Sequence, residues 1–334
     1  MSNTSRISQI NNPNGVHGRI SLDLNDTTIW NEDEFVEFLI KHQNHVIDVE
    51  ISEGVCLTSA GIYKLMDKFK FMAVTIRSHN LVESAPSPYK LEIHPFGYRY
   101  FNVPPNVDYT MYHHWTGKRV FGALYNRPTW PRLGLTGHLL ANHKDKTLIN
   151  FRFDPQNPDN RKVFELDTLF QANPDSFKNF ADIVQLLPIR LEEEDGFTAG
   201  VPTQQHTDQL AQFYTDFLID VVAETFVRGR TFYPTEKTTR PMLLKKPFIL
   251  MGPKCFLIHL RQMGFRTFHD FWEEDYDGHR PEQRYAMIVK LINSLAQKSA
   301  QELADMYERM KPILDHNYNL ILEKKYSKKI NFTE

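Results

Sequence analysis

Two strand-length apolar runs bracket a helix start in the C-terminal third of the chain, and that order leaves few folds open. Leu218-Ile219-Asp220-Val221-Val222-Ala223 reads as a buried strand that delivers Glu224 to its end. Pro247-Phe248-Ile249-Leu250-Met251-Gly252 reads as a second short buried strand, closing on glycine. Between them Thr235 is a natural N-cap, because its hydroxyl can accept a backbone N–H two or three positions on, and Glu236 and Lys237 fall in the first helical turn. Pro241 lies too deep for a first-turn proline, so a kink or break is expected there. Strands separated by helices belong to α/β folds with parallel sheets, and strand ends in such folds are where ligands sit.

The same rhythm runs upstream. Trp30 to His42 has helical apolar spacing, His45 to Ile51 alternates in part like a strand, Thr58 caps a helix through Phe69, and Met72 to Ile76 returns as a strand. Gly18 to Leu22 is an edge-strand candidate, preceded by an Asn/Ser-rich opening expected to be poorly ordered. Prolines punctuate Ser84 to Pro105 around a short strand at Lys90 to His94. Arg119 to Tyr125 is a buried-type strand, a helix opens at Thr129 and runs to about His143, and Thr147 to Phe153 is again a strand. Helices are expected at Asp175 to Leu187, His206 to Phe217 and Lys254 to Met263, and two amphipathic ones between Pro281 and Lys325; Glu192 to Gly196 reads as a solvated turn.

At 334 residues the chain exceeds the usual size of a single core, and two α/β domains are expected, 1–200 and 201–334. A formal charge of −2 gives no global attraction to nucleic acid or to an anionic membrane. The two cysteines, Cys56 and Cys255, each lie in an apolar run and read as buried free thiols, neither a disulfide nor a metal cluster. No apolar run reaches about eighteen residues and the N-terminus is polar, so a soluble, cytoplasmic protein without membrane insertion is expected.

The first turn opened by Thr235 would expose N–H groups, and with Lys237 and Arg240 beside it would seat a phosphate or diphosphate. A base for a hydroxyl nucleophile has candidates in Glu92, Asp108 and His94, with His113 and His114 close by in sequence. Asp275-Tyr276-Asp277 has the spacing of a divalent-cation site, but it follows Trp272-Glu273-Glu274 instead of closing an apolar strand, so no metal is expected. Gly-x-x-x-x-Gly-Lys, Gly-x-Gly-x-x-Gly, Gly-x-Ser-x-Gly and His-Glu-x-x-His are all absent, which removes the simplest readings as a P-loop NTPase, Rossmann dehydrogenase, common hydrolase or zinc protease.

Taken together, Ala223-Glu224-Thr225, Phe232-Tyr233-Pro234-Thr235-Glu236-Lys237 and Lys246-Pro247-Phe248-Ile249 resemble the nucleotide-sugar-binding half of the alpha-1,3-fucosyltransferases and their viral and phage relatives. The resemblance covers about a third of the chain. It implies two Rossmann-like domains of GT-B kind with a cleft between them, the donor held by residues 201–334 and the acceptor mainly by residues 1–200. It also implies glycosyl transfer from a nucleotide-sugar donor to a glycan or other hydroxyl acceptor, inverting and metal-independent, with no cofactor beyond the donor. If the chain is viral, the location is the host cytoplasm. Arg132 best matches the arginine that reaches the donor phosphates, with Arg127 second; Lys237 and Arg240 would meet phosphate oxygens, and Glu224 and Glu236 sugar or ribose hydroxyls, beside Thr235. Two other readings stay open: an enzyme acting on hydroxymethylated bases in DNA, with Tyr112, Trp115, Lys118 and Arg119 lining a groove, and a non-catalytic module that binds a nucleotide or glycan.

Overall fold

The apolar runs between Arg119 and Met251 assemble into one parallel sheet. The computed structural model describes residues 7–12, 15–20, 32–41, 43–44, 46–51, 54–93, 100–103, 108–156, 166–191, 208 and 210–328. By its internal contacts the chain divides into two compact units, Met1–Arg99 with Arg228–Tyr233, and Tyr100–Val227 with Pro234–Glu334.

The first unit holds β1 (Ile7–Asn12), β2 (Gly15–Ile20), α1 (Glu32–Lys41), β3 (Val46–Ile51), α2 (Ile62–Met66), β4 (Ala73–Ser78) and β5 (Lys90–Ile93). They form one sheet in the order β1-β2-β3-β4-β5, parallel except for the antiparallel β1–β2 pair. Leu39 of α1, Ile47 of β3, Ile62 and Met66 of α2 and Ile76 of β4 are fully buried in a common core with Leu57. Two expectations change here. The opening segment is not without structure: Ile7–Asn12 pairs along β2, from Ile7 opposite Ile20 to Asn12 opposite Gly15. Ladder hydrogen bonds are made by the backbone and tolerate the polar composition that suggested otherwise. The helix expected from Thr58 begins only at Ile62, because Gly61 lies at φ 73°, in the left-handed region just before it.

The second unit holds β6 (Arg119–Tyr125), α3 (Trp130–His143), β7 (Thr147–Phe151), α4 (Leu166–Ala172), α5 (Pro174–Ile183), β8 (Phe217–Ala223), α6 (Glu236–Leu243), β9 (Phe248–Met251), α7 (Phe256–Gln262), α8 (Pro281–Ala296) and α9 (Ala300–Leu322). The sheet order is β7-β6-β8-β9, all parallel. Such strands are covered on both faces and must be apolar nearly throughout, which is why every residue of β7, β8 and β9 is buried. In α9 the buried side chains are Leu303, Met306, Tyr307, Met310, Leu314, Asn317, Tyr318 and Ile321, a stripe at the spacing of one helix face. A capping box between Ser299 and Glu302 starts that helix. Of the helix expected from His206 to Phe217, Asp208, Leu210 and Ala211 are helical among the described residues, and a 3-10 turn, Gln212–Thr215, follows before β8. Pro241 does not end α6, which runs on to Leu243.

The boundary differs from the division expected at residue 200. β6 and β7 share a sheet with β8 and β9, so residues 100–200 cannot be separated from the C-terminal part. The stretch after β7, which carries α4 and α5, lies inside one unit. Its acidic run Glu192 to Gly196, and the connection at 199–206, lie outside the described residues.

Helices α3 and α5 approach closely at Gly137, where an added Cβ would lie 2.6 Å from the backbone nitrogen of Phe180. Alanine in a helix gains about 1 kcal/mol over glycine, but a clash with main chain costs about 1–3 kcal/mol. Gly137→Ala is therefore expected to lower the free energy of unfolding in a denaturant titration. A more stable variant would contradict this packing.

Candidate functional site

The second sheet contains a topological switch point. From β6 the chain passes through α3 to β7 on one side, and later enters β8 on the other side of β6. The helical connections thus leave neighbouring strands in opposite directions, and their C-terminal ends flank the crevice where open α/β sheets bind ligands. Arg132 follows β6 in the first turn of α3, Glu224 follows β8 directly, and Thr235, Glu236 and Lys237 open α6.

These residues are tied together. Arg132 is 1% exposed and donates Nε and Nη2 to the Ala223 carbonyl at 3.1 and 2.8 Å, and Nη1 to the Arg127 carbonyl at 3.1 Å. Burial pushes its guanidinium down to about 10, while the Glu224 and Glu236 carboxylates oppose that shift. The Glu224 carboxylate, also buried, accepts Thr235 N at 3.1 Å, Thr235 Oγ1 at 2.7 Å and Thr238 Oγ1 at 2.5 Å. Thr235 caps α6 as its sequence position suggests, its hydroxyl accepting Lys237 N at 3.3 Å. Lys237 Nζ pairs with Glu236 Oε1 at 2.5 Å.

This arrangement corrects the picture of a bare helix start. The Thr235 carbonyl takes the N–H groups of Thr238 and Thr239, and the Glu224 carboxylate already occupies the end of the helix. A helix start with little access to water must satisfy its donors from within the chain. Arg240 also turns inward: it is 4% exposed, and its Nε donates to Tyr214 Oη at 2.7 Å. Tyr214 Oη in turn donates to Asp220, the carboxylate in the middle of β8. Burial raises Asp220 to about 6 against the pull of Arg240 and the Tyr214 hydrogen bond. Tyr214 and Asp220 were not singled out from sequence; the available signal was a carboxylate inside an otherwise apolar strand, which needs a buried partner. Arg127 is half-buried, and its guanidinium makes no hydrogen bond or ion pair with the described residues beyond its proximity to Arg132.

The base candidates lie elsewhere. Glu92, on β5 of the first unit, pairs with Lys90 at 2.8 Å and Arg77 at 3.1 Å, which hold its carboxyl below the usual range. Asp108, in the second unit, is exposed, and the Thr110 N–H at 2.8 Å lowers it as well. Both shifts run opposite to what a base working near neutral pH needs. His94 lies outside the described residues. His113 is pinned with Nε2 3.1 Å from the Leu243 carbonyl, and the His114 carbonyl accepts Lys246 Nζ at 2.7 Å. Lys118 pairs with Asp216 at 2.8 Å, and Trp115 Nε1 donates to the Arg119 carbonyl at 2.9 Å.

Asp277 of the Asp275-Tyr276-Asp277 triplet is buried and caps α7, accepting Leu257 N at 3.1 Å and Ile258 N at 3.3 Å. Among the described residues no group of three or more His, Cys, Asp or Glu side chains is arranged to hold a metal ion. Cys56 and Cys255 are both buried and free. No described helix is long and apolar enough to cross a membrane.

Burial would raise the Glu236 carboxyl, but Lys237 and then Arg240 outweigh it and bring it down to about 2. A carboxyl lowered on folding stabilises the fold above its unfolded value of about 4.5, and that contribution is lost as pH falls from there towards about 2. Its size is on the order of 1–3 kcal/mol. Glu236→Gln is therefore expected to be less stable than the parent at pH 7 and to lose less stability between pH 5 and 3. Parallel pH–stability curves for the two proteins would contradict the assignment.

No protein-family model matches the chain. No curated protein matches it either. Among solved structures, the chain is similar to one described as "Crystal Structure of alpha1,3-Fucosyltransferase", at 11% identity over 91% of this chain and 84% of that one, with a TM-score of 0.30. A similarity at that TM-score carries no argument about fold or activity.

Proposed function

We propose that the second unit binds a nucleotide sugar at the C-terminal ends of β6 and β8, and that the protein is a glycosyltransferase of the two-domain GT-B kind. One observation carries the reading. Residues from three separate stretches of sequence, Arg132, Glu224 and Thr235-Glu236-Lys237, converge at the switch point of a parallel sheet, where the general rule for open α/β folds puts the ligand.

The geometry refines the roles. Arg132 holds the chain after β6 against the end of β8 through the Arg127 and Ala223 carbonyls, and so fixes the width of the crevice. Arg240 stabilises the same turn from behind through Tyr214. Lys237 is the cation for the donor diphosphate, with Arg127 beside the start of α3 as its second. Without a donor, Lys237 is neutralised by Glu236. A diphosphate carries more charge than one carboxylate and draws the ammonium away, and Glu236 is then released to accept hydrogen bonds from ribose hydroxyls. Glu224 keeps the turn fixed throughout.

In the proposed reaction the acceptor oxygen forms a bond to the anomeric carbon as the bond from that carbon to the diphosphate oxygen breaks. The electron pair leaves on the diphosphate, and the acceptor proton goes to a base. Attack on the face opposite the leaving group inverts the anomeric centre. The cationic side chains supply the charge that a metal ion would otherwise provide. Of Glu92, Asp108 and His94, His94 is the proposed base, since the carboxyls of Glu92 and Asp108 are held below the range that a base near neutral pH needs, and the first unit is the proposed acceptor side.

Release of nucleoside diphosphate from a nucleotide sugar tests the reading. Lys237→Ala is expected to lower turnover about 100-fold, the loss of a transition-state charge contact of about 3 kcal/mol, and activity is expected to survive EDTA. Unchanged turnover in the variant would contradict the role of Lys237. Loss on chelation with recovery on adding magnesium or manganese would contradict the metal-independent mechanism.

A further inference from the structure

Strand β8 pairs with β9 as far as Ala223 opposite Met251, and one further bond follows, from Glu224 N to the Met251 carbonyl at 2.9 Å. Past that point both chains leave the sheet, one through Thr225 to Val227 and the other through Gly252. A guanidinium joins them there. Arg284, early in α8 and fully buried, donates Nη1 to the Val227 carbonyl at 3.3 Å and to the Gly252 carbonyl, and Nη2 to the His279 carbonyl at 2.6 Å. One planar fork thus carries on, across the two exits, the pairing that the ladder has given up.

The fork is itself held in place. Burial pushes the Arg284 guanidinium down, and Asp277 opposes that shift. Asp277 is fixed by Leu257 N and Ile258 N at the start of α7, and its carbonyl accepts Cys255 N at 2.9 Å. The helix that carries Arg284 is seated on α3: the ring of the next residue, Tyr285, lies 5.4 Å from that of Trp130, the first residue of α3. An added Cβ at Gly134 of α3 would run into Tyr285 Oη.

Glu224 therefore lies between two buried arginines. Arg132, from α3, holds the carbonyl of Ala223, directly before it. Arg284, from α8, holds the carbonyl of Val227, with only Thr225 and Phe226 in between. Peptide planarity leaves two soft torsions per residue, so a shift at Val227 has few rotations in which to be absorbed before it reaches Glu224. We propose that Arg284 is a positioning residue for the Glu224 carboxylate: by tying the exits of β8 and β9 together, it sets where that carboxylate receives Thr235 and Thr238 at the start of α6. All of these residues belong to the second unit. The structural part stands by itself; its consequence for donor binding rests on the function proposed above.

Amide hydrogen exchange, measured without any nucleotide, tests this on Arg284→Lys, which keeps the charge but replaces the planar fork with a single nitrogen. The Cys255 amide, in the loop after β9, is expected to exchange faster as the clamp loosens. The proposal further requires the Thr235 and Thr238 amides to exchange at least about tenfold faster, while Phe121 in β6 and Ile219 in β8 keep their protection. In turnover, KM for the nucleotide sugar is expected to rise at least about tenfold and kcat to change less than about threefold, because Glu224 shapes the seat without touching the reacting atoms. Unchanged exchange at Thr235 and Thr238 would overturn the proposal, and so would faster exchange there with an unchanged KM. If Arg284→Lys unfolds the unit, seen as lost protection at Phe121 and Ile219, the parent protein decides. As denaturant is raised below the unfolding transition, its Cys255, Thr235 and Thr238 amides are expected to merge into one opening, and separate openings for Cys255 and Thr235 would overturn the proposal. An active transferase with unchanged exchange at Thr235 and Thr238 sinks this inference alone. Faster exchange in a protein that turns over no nucleotide sugar sinks the proposed function alone.

Discussion

The buried carboxylate of Glu224 is the point on which the second unit's site depends. It sits where β8 ends, and it accepts three hydrogen bonds from Thr235 and Thr238 at the start of α6. A carboxylate so placed is costly to bury unless its oxygens are bonded and a positive charge lies near, and Arg132 supplies that charge while bonding the carbonyl of the preceding residue, Ala223. Removing either partner leaves an uncompensated buried charge, whereas the set together makes the crevice walls rigid.

The surrounding charges follow the same rule. Asp220, Glu224 and Glu236 stand against Arg132, Lys237 and Arg240, and only the Glu236–Lys237 pair is partly open to water, with side-chain exposures of 18% and 15%. That difference divides the labour. The closed groups hold the turn, and the open pair is the part that a charged ligand is able to rearrange. In the proposed function, stability rests on Glu224 at the end of β8 and binding on Lys237 in the first turn of α6, so substitutions at the two are expected to be felt differently.

Much of the scaffold was legible in the sequence. Arg119–Tyr125 and the helix opening at Thr129 appear as read, because a parallel strand covered on both faces is apolar throughout and a helix start carries local chemistry. Thr235 is the N-cap for the same reason. Which way a long cation points was not legible. Arg132 and Arg240 read as phosphate ligands when seen beside a helix start, but the packing of α3 and α6 turns both towards partners far off in sequence, Ala223 and Tyr214. The unit boundary was not legible because chain length suggests two domains without saying which strands share a sheet, and β6 and β7 pair with β8, far along the chain. The assignment of residues 228–233 to the first unit has no local signal, since the residues they contact there, Asn80 and Leu81 among them, lie about 150 residues away.

The central claim is that the crevice at the ends of β6 and β8 is a nucleotide site. The most direct measurement is the thermal unfolding of the protein against a panel of nucleoside diphosphates and nucleotide sugars, for the parent and for Glu236→Gln. A ligand at about 100 times its dissociation constant adds about 2.7 kcal/mol of stability. The account predicts that at least one nucleotide raises the unfolding temperature of the parent and that the rise shrinks in Glu236→Gln. No shift with any nucleotide, or a shift of equal size in both proteins, would contradict it.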